Sequence, residues 1–174
     1  MVNSTKIQLL DTIQGSNFLA IQSAMEIFQR YNPELTQSKI KVIHEGNSEI
    51  VILTNQNDPT NTQKNLGVKL ESREELSIQD LSTLKLNMEQ IQLMDRIEGS
   101  HFPFINKAVG VFQQYNNSEL VLYNIKVVRE GDAVVVIFVD KDRPIGTRGS
   151  IGRPGFEVKL NAQDLTVIQS NFVR

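Results

Sequence analysis

The sequence contains no cysteine, no long apolar run and no surplus of basic side chains. The lack of cysteine excludes disulfide bonds, thiol nucleophiles and thiolate zinc sites. No apolar stretch approaches the ~20 residues that a membrane-spanning helix needs. The first ten residues, MVNSTKIQLL, lack the basic and apolar regions of a secretory signal. We therefore expect a cytoplasmic protein that does not enter a membrane.

Positive and negative charges are nearly balanced along the chain. The net charge is −2, from 18 basic and 20 acidic side chains. Residues 1–86 hold 8 basic and 10 acidic side chains, and residues 87–174 hold 10 of each. Neither half has the excess of Lys and Arg that would neutralise many phosphates. We therefore predict no nucleic-acid partner.

Residues that could perform catalysis or bind a metal are few and scattered. The two histidines, His44 and His101, belong to no H-x-x-H or H-E-x-x-H sequence, and no serine lies in a G-x-S-x-G turn. The carboxylates Glu74 and Glu75 fall in a polar turn, where we expect them to be solvated. The sequence therefore predicts no catalytic residue, no metal site and no cofactor. Both histidines are expected at a surface or an interface.

One stretch of the sequence occurs twice. Ile7–Asn32 and Ile91–Asn116 align without gaps at an offset of 84 and share 14 of 26 residues. An internal repeat of this kind indicates a duplicated structural unit. We predict two domains, residues 1–86 and 87–174, each near the lower size limit for an independent core.

Each copy contains an amphipathic helix. Ser16 and Ser100 are candidate N-caps, and apolar residues follow at helical spacing. This stripe could bind a partner helix or a membrane surface, but strands follow at once, so we expect it to pack on the protein's own sheet. The segment before each helix, Ile7–Ile13 in the first copy, fits either a short helix or a short strand. The stripe residues are Phe18, Ile21, Ala24, Met25 and Phe28, then Phe102, Ile105, Ala108, Val109 and Phe112.

Four β-strands are predicted after each helix. Gly46-Asn47 and Gly131-Asp132, each between the first two strands of a copy, are hairpin signals. Ala133–Asp140 is apolar on both faces, which indicates a central, covered strand. The predicted strands are Lys39–Glu45, Glu49–Thr54, Leu66–Glu71 and Leu76–Leu81, then Asn124–Glu130, Ala133–Asp140, Gly155–Leu160 and Leu165–Val173.

This order of elements predicts an α+β fold. Each repeat should place one helix across a four-stranded antiparallel meander. We expect the two repeats to be related by a pseudo-twofold axis. The link at Ser82–Gln90 is not rich in Gly or Pro, so it should not be a flexible tether.

One long helix followed by a curled four-stranded meander resembles cystatin-like and PepSY-like proteins and, in outline, the nuclear-transport-factor-like fold. The segments DRPIGTRGS, PGFEVKL and LTVIQSNFVR of the second copy look like those of small bacterial proteins of this shape, some of which are toxin-immunity proteins. The resemblance implies a helix-plus-sheet fold. It does not imply protease inhibition, because the Gln-x-Val-x-Gly sequence of the cystatin inhibitory loop is absent.

The two copies differ most between their second and third strands. The first has the polar, nearly uncharged Asn55–Asn65, and the second has Asp140–Pro154, DKDRPIGTRGSIGRP. Arginines bind carboxylate or phosphate in a bidentate manner, and glycines let the backbone approach a ligand closely. The alternative is that these arginines are solvated or pair with the aspartates of the loop. The candidate binding residues are Asp140, Arg143, Arg148 and Arg153.

A Tyr-Asn pair recurs at the end of each helix, Tyr31-Asn32 and Tyr115-Asn116. The pairs could line a pocket between helix and sheet. We favour a structural role, in which each tyrosine covers the edge of the core and its hydroxyl reaches water or a backbone group.

Two functions fit this sequence. The first is a non-enzymatic binding protein, such as an immunity or adaptor protein, that occupies a protein partner. The alternative is a small-ligand-binding protein or an enzyme that uses a cavity under the helix, as nuclear-transport-factor-like proteins do. The second requires that the helix phenylalanines leave this space open. The sequence leaves the oligomeric state undecided.

Overall fold

The computed structural model describes residues 6–31, 38–55, 66–71, 75–80, 91–143 and 152–173. In these ranges the chain forms ten strands and two α-helices. The helices are α1 (Gly15–Tyr31) and α2 (Phe102–Tyr115), and 3-10 turns span Gly99–His101 and Leu120–Leu122. The strands are β1 (Ile7–Gln14), β2 (Ser38–Glu45), β3 (Ser48–Asn55), β4 (Leu66–Glu71), β5 (Glu75–Asp80), β6 (Ile91–Glu98), β7 (Tyr123–Glu130), β8 (Ala133–Asp140), β9 (Gly155–Asn161) and β10 (Val167–Val173).

The strands form two five-stranded antiparallel sheets, so the fold is α+β as predicted. One sheet has the order β1-β7-β8-β9-β10, and the other has the order β5-β4-β3-β2-β6. Each sheet has one strand more than the predicted four. The reason is that the segment before each helix, which the sequence leaves undecided, is a strand that joins a sheet.

The additional strand of each sheet comes from the other half of the chain. β1 pairs with β7, with Ile7 opposite Glu130. β6 pairs with β2, with Glu98 opposite Lys39. The compact units are therefore residues 1–16 with 101–174, called unit 1, and residues 17–100, called unit 2. The compact units differ from the predicted domains 1–86 and 87–174, because residues 1–16 and 87–100 each belong to the unit that is formed mainly by the other half of the chain.

The chain crosses between the units twice, each time at a Gly-Ser pair. The chain leaves unit 1 after Gly15-Ser16 and returns to it after Gly99-Ser100. A Cβ at Gly15 would lie 2.0 Å from the carbonyl oxygen of Leu120. Because no side chain fits that space, glycine is required where β1 ends and α1 begins.

The predicted helix caps differ from the observed ones. α1 begins at Gly15, so Ser16 lies in its first turn. The 3-10 turn moves the start of α2 to Phe102, with His101 rather than Ser100 at the N-cap position and a proline in the first turn. Pro103 suits this position because its missing N–H would have no helical partner there.

A polar contact links each exchanged strand to the start of a helix. In unit 1, His101 Nδ1 lies 2.5 Å from Asp11 Oδ2, and their side chains are 19% and 12% exposed. In unit 2, the Asn17 side-chain amide donates to Asp95 Oδ2 at 2.7 Å. Asn17 aligns with His101 in the repeat, and Asp11 aligns with Asp95. Each aspartate therefore binds the helix start of the other copy, and His101 is a mostly buried structural residue.

The predicted helix stripes are buried, as expected. All ten stripe residues are at most 6% exposed. The ring of Phe112 stacks on Phe138 at a centroid distance of 4.4 Å and meets Tyr123 edge to face at 5.0 Å. Because both stripes are buried, they are not available to a partner helix or a membrane surface.

The predicted strands and hairpins agree closely with the structure. Gly46 and Gly131 adopt φ values of +60° and +59° at the first position of two-residue turns. β8 is the middle strand of its sheet, as its apolar sequence indicates. The last strand begins two residues later than predicted, because Leu165 has a φ of +62° and belongs to the preceding turn. The link at Ser82–Gln90 lies outside the described residues.

The equivalent helix phenylalanines provide a test of the core. Phe28 and Phe112 are both 0% exposed. Replacing either by Ala should lower the free energy of unfolding by about 3–5 kcal/mol, from lost burial and the cavity left behind. Urea denaturation of each variant measures the cost. Leu93→Ala, at a side chain that is 55% exposed, is the control and should cost much less. A much smaller loss of unfolding free energy for one phenylalanine than for the other would show that its ring is not packed in the core.

The contact between β1 and α2 provides a second test. His101→Ala should destabilise the protein by about 1–3 kcal/mol, because a mostly buried carboxylate loses a hydrogen bond. His101→Asn reproduces the Asn17–Asp95 pair and should recover most of that loss. Both are measured by urea denaturation at pH 7. Equal losses for the Ala and Asn variants would show that the side-chain contact does not hold β1 in place.

Candidate functional site

The predicted loop begins at Asp140, the last residue of β8. Residues alternate in direction along a strand, so Asp140 points to the same side of the sheet as Val136 and Phe138, which are fully buried. It lies opposite Tyr123 in β7. Asp140 is 4% exposed. A carboxylate this deep needs hydrogen-bond donors, and the returning end of the loop supplies them.

Three donors satisfy the Asp140 carboxylate. The backbone N–H of Arg153 donates to Oδ2 at 2.8 Å, and the Arg153 guanidinium donates to Oδ1 at 2.8 Å. The backbone N–H of Asp142 donates to Oδ1 at 3.2 Å. Burial alone would raise the pKa of this carboxyl, but these donors outweigh burial and hold the pKa below its usual value of 3.8. Asp140 is therefore ionised and joins the two ends of the loop.

Gly152 is part of this closure. Its φ of +115° is unfavourable for any residue with a side chain. A Cβ at this position would also lie 2.8 Å from Oδ2 of Asp140. Gly152 therefore lets the backbone come close enough for the Arg153 N–H to donate to Asp140. The group that the backbone approaches is a carboxylate of the protein itself and not a bound ligand.

The structure brings two of the four predicted site residues together. Arg153 contacts Asp140 and also lies 3.4 Å from Asp142 Oδ2, which is the internal pairing that the sequence leaves open as an alternative. Arg143 is half-buried, and its backbone N–H donates to the carbonyl of Asp140. Arg148 lies outside the described residues. A contact between these arginines and a partner stays a prediction.

Tyr123 connects the loop to the end of α2. Its hydroxyl donates to the carbonyl of Pro154 at 3.3 Å and accepts from the Asn116 side chain at 3.1 Å. Asn116 also accepts the backbone N–H of Ser118. The second Tyr-Asn pair thus contributes its asparagine to the loop base. No sequence motif includes Tyr123, although extending the predicted hairpin by one residue places it opposite Asp140.

An aromatic cluster adjoins the loop base. Phe156 follows Pro154 by two residues and is 2% exposed. Tyr115 stacks on it at 6.1 Å, and Phe172 of β10 meets it edge to face at 5.1 Å. Tyr115 and Phe172 are nevertheless 62% and 50% exposed. Tyr115 covers the edge of the core, as predicted, and presents most of its surface to solvent. We call Tyr115, Phe156 and Phe172 the aromatic cluster.

Other chemical features of the described residues are sparse. No group of three metal-binding side chains occurs in the described ranges. No helix among these residues is long and apolar enough to cross a bilayer. His44 Nε2 lies 3.4 Å from a Glu49 carboxylate oxygen but has no hydrogen bond of good geometry. Nε2 is itself buried, although the side chain as a whole is 33% exposed, and we assign His44 no role.

Comparison of the chain with protein-family models and with curated proteins finds no match. Among solved structures, the chain is similar to a "putative lipoprotein" from Clostridium difficile 630. The sequence identity is 13%, and the match covers 88% of this chain and 92% of that chain with a TM-score of 0.25. A similarity this weak supports no conclusion about fold or function.

The state of Asp140 should be visible in the pH dependence of stability. Its pKa is lower in the folded protein than in the unfolded chain, so the ionised form stabilises the fold above about pH 4. This contribution is lost as the pH falls through the lower, folded pKa. Asp140→Asn should therefore be less stable than wild type at pH 7, and the difference should shrink as the pH falls from about 5 to 3. Urea denaturation across this range measures it.

Glu26→Gln is the matched control for this prediction, because Glu26 is exposed on α1. Its effect should be small at every pH. A constant difference between wild type and Asp140→Asn down to pH 3 would contradict an ionised, stabilising Asp140.

Proposed function

We propose that the chain is a non-enzymatic binding protein that occupies a protein partner, as immunity and adaptor proteins do. The observation that carries this proposal is Tyr115, which is 62% exposed although its ring is held against buried Phe156. A rigid, exposed aromatic ring loses little conformational entropy on binding. Tyrosine is also among the residues that contribute most binding energy at protein interfaces.

The arginines at the base of the loop indicate the chemistry of the partner. Arg143 and Arg153 lie at the base of the loop, where Arg153 binds Asp140. The Tyr123 hydroxyl links this base, at Pro154, to Asn116 at the end of α2. Arginine contributes strongly to protein interfaces and binds carboxylates in a bidentate manner. We therefore expect a partner surface with an apolar pocket for Tyr115 and carboxylates beside it. Such binding should weaken as salt is added.

We further propose that the scaffold is a tandem duplication of a cystatin-like or PepSY-like unit. The sequence repeat supports this. So does the strand order, which follows the same sequence from the exchanged strand to the last strand in both sheets. The contacts Asp11–His101 and Asp95–Asn17 occupy equivalent repeat positions. The pseudo-twofold relation of the repeats stays a prediction.

The alternative function, a ligand-binding or catalytic cavity under the helix, has less support. It depends on open space between helix and sheet. Phe18, Phe28 and Phe112 are 0% exposed and Phe102 is 6% exposed, so these rings pack in that space. We therefore do not favour a nuclear-transport-factor-like pocket.

A photo-crosslinking amino acid at Tyr115 tests the binding proposal. In cells that express the full chain, position 115 should give a crosslinked product with one protein, identified by mass spectrometry. The same amino acid at Gln29, which is exposed on α1 in unit 2, is the control. Unmodified chain should compete for the product, and Tyr115→Ala/Arg143→Glu should not. Equal products at both positions, or none at position 115, would contradict the proposal.

The choice of variant follows from the loop contacts. Replacing Arg143, Arg148 and Arg153 together would remove a contact within the fold as well as any partner contact, because Arg153 donates to buried Asp140. We therefore expect Arg153→Ala to lower the melting temperature. Tyr115 is 62% exposed and Arg143 is half-buried, so Tyr115→Ala/Arg143→Glu should lower the free energy of unfolding by only about 1 kcal/mol. A thermal melt checks both expectations before binding is measured.

A further inference from the structure

We propose that β10 binds a second copy of this chain, through antiparallel pairing of β10 with β10 about a twofold axis at Ser170. This inference does not depend on the proposed function, because it rests on the edge strand of the unit 1 sheet and not on Tyr115 or on the arginines of Asp140–Pro154. The partner is a second copy because the strand is chemically self-complementary.

β10 is an edge strand that has little protection against pairing. Edge strands usually carry charged side chains, which discourage the addition of another strand. Of the four edge strands in the described part of the chain, β10 is the one without an ionisable residue. The other three carry Asp11 in β1, Glu75 and Asp80 in β5, and Asp95, Arg96 and Glu98 in β6.

The ladder geometry of β10 is also suited to pairing. The register of β10 with β9 shifts only between Val167 and Gln169, and Gln169–Val173 then pairs without interruption. In β1 and β6 the irregularity lies in the interior of the ladder, where it bends an edge away from a new strand. Alternate backbone groups along an uninterrupted edge face outwards and can bond to an added strand.

Apolar side chains are exposed along this edge. Val167, Ile168 and Phe172 are 42%, 55% and 50% exposed. Three such side chains in a strand of seven residues are unusual in an edge strand that has no ionisable residue of its own. A strand added alongside β10 would cover part of this surface, and apolar burial would then favour the pair.

The sequence of β10, VIQSNFV, reads alike from both ends in chemical terms. With Ser170 on the twofold axis, Gln169 lies opposite Asn171 in the regular part of the ladder. Beyond the register shift at Ile168, the apolar Val167 and Ile168 face the apolar Phe172 and Val173. Amides, which both donate and accept, thus meet amides, and apolar side chains meet apolar ones. A shift of the axis to Asn171 would instead place Phe172 opposite Ser170. The pattern therefore selects one register.

The two amides are already aligned on one side of the strand. The Gln169 side chain donates to the Asn171 side chain at 2.9 Å. In the paired strands, two such amide pairs would lie next to each other across the axis. A single strand pair buries less than the ~1,200–2,000 Å² of a typical stable interface. We therefore expect a dimer that forms and dissociates with concentration.

Charge substitution at Ser170 provides the first test. Because the two copies of residue 170 face each other, Ser170→Asp or Ser170→Lys places like charges together and should raise the dimer dissociation constant by at least about tenfold. An equimolar mixture of the two variants should restore dimerisation, because opposite charges then meet. Sedimentation of the full chain measures this, with Gln8→Lys on the other edge of the sheet as the control.

Disulfide trapping provides the second test. The chain has no cysteine, so Ser170→Cys introduces a single thiol at nearly constant size. Residues directly opposite in antiparallel strands have Cα atoms about 4.5–5.5 Å apart, a separation that a disulfide spans. Oxidation should therefore give a covalent dimer. Thr12→Cys, which is exposed on β1, should give little.

Three results would overturn the proposal. The first is a wild-type chain that stays monomeric at every concentration. The second is a dimer that neither like-charge variant weakens, which would place the interface elsewhere. The third is a mixture of folded Ser170→Asp and Ser170→Lys chains that does not dimerise, together with a Thr12→Cys variant that crosslinks as fast as Ser170→Cys.

Discussion

The pairing of β1 with β7 is the interaction on which the rest of the structure depends. It takes a strand from the beginning of the chain into unit 1, and the pairing of β6 with β2 makes the reverse exchange. Each compact unit is therefore built from both halves of the sequence, and neither half contains all the strands of one sheet. The Gly-Ser passages and the two aspartate contacts fix this arrangement. Asp140, Phe156 and Phe172 lie in the sheet that β1 completes.

Most of the fold can be predicted from the sequence, but the exchange of strands cannot. Apolar spacing locates both helices, and alternation with glycine turns locates the strands, because these signals are local. β1 and β6 have similar sequences, so β1 would present to β2 nearly the same side chains as β6 does. Local chemistry therefore does not distinguish pairing within a copy from exchange. The unlike partners at equivalent positions, Asn17 and His101, record the exchange only once the structure is known.

The candidate site is predictable in location but not in detail. The sequence difference between the copies selects residues 140–154, of which the structure describes 140–143 and 152–154. It does not show that Asp140 is buried, although the alternation from Val134 through Phe138 places residue 140 on the core side. It also leaves Tyr115 at the core edge without revealing how far its ring protrudes. These properties depend on contacts with Phe156 and Arg153, which come from distant parts of the chain.

Strand exchange also constrains the order of events during protein synthesis. Ile7 lies opposite Glu130, so 123 residues (130 − 7) must follow Ile7 before this pairing can form. At ~5–20 residues per second, that interval is about 6–25 s. β2 is made long before β7, and the two strands have similar sequences. The nascent chain must therefore avoid or break any pairing of β1 with β2 before β1 can pair with β7.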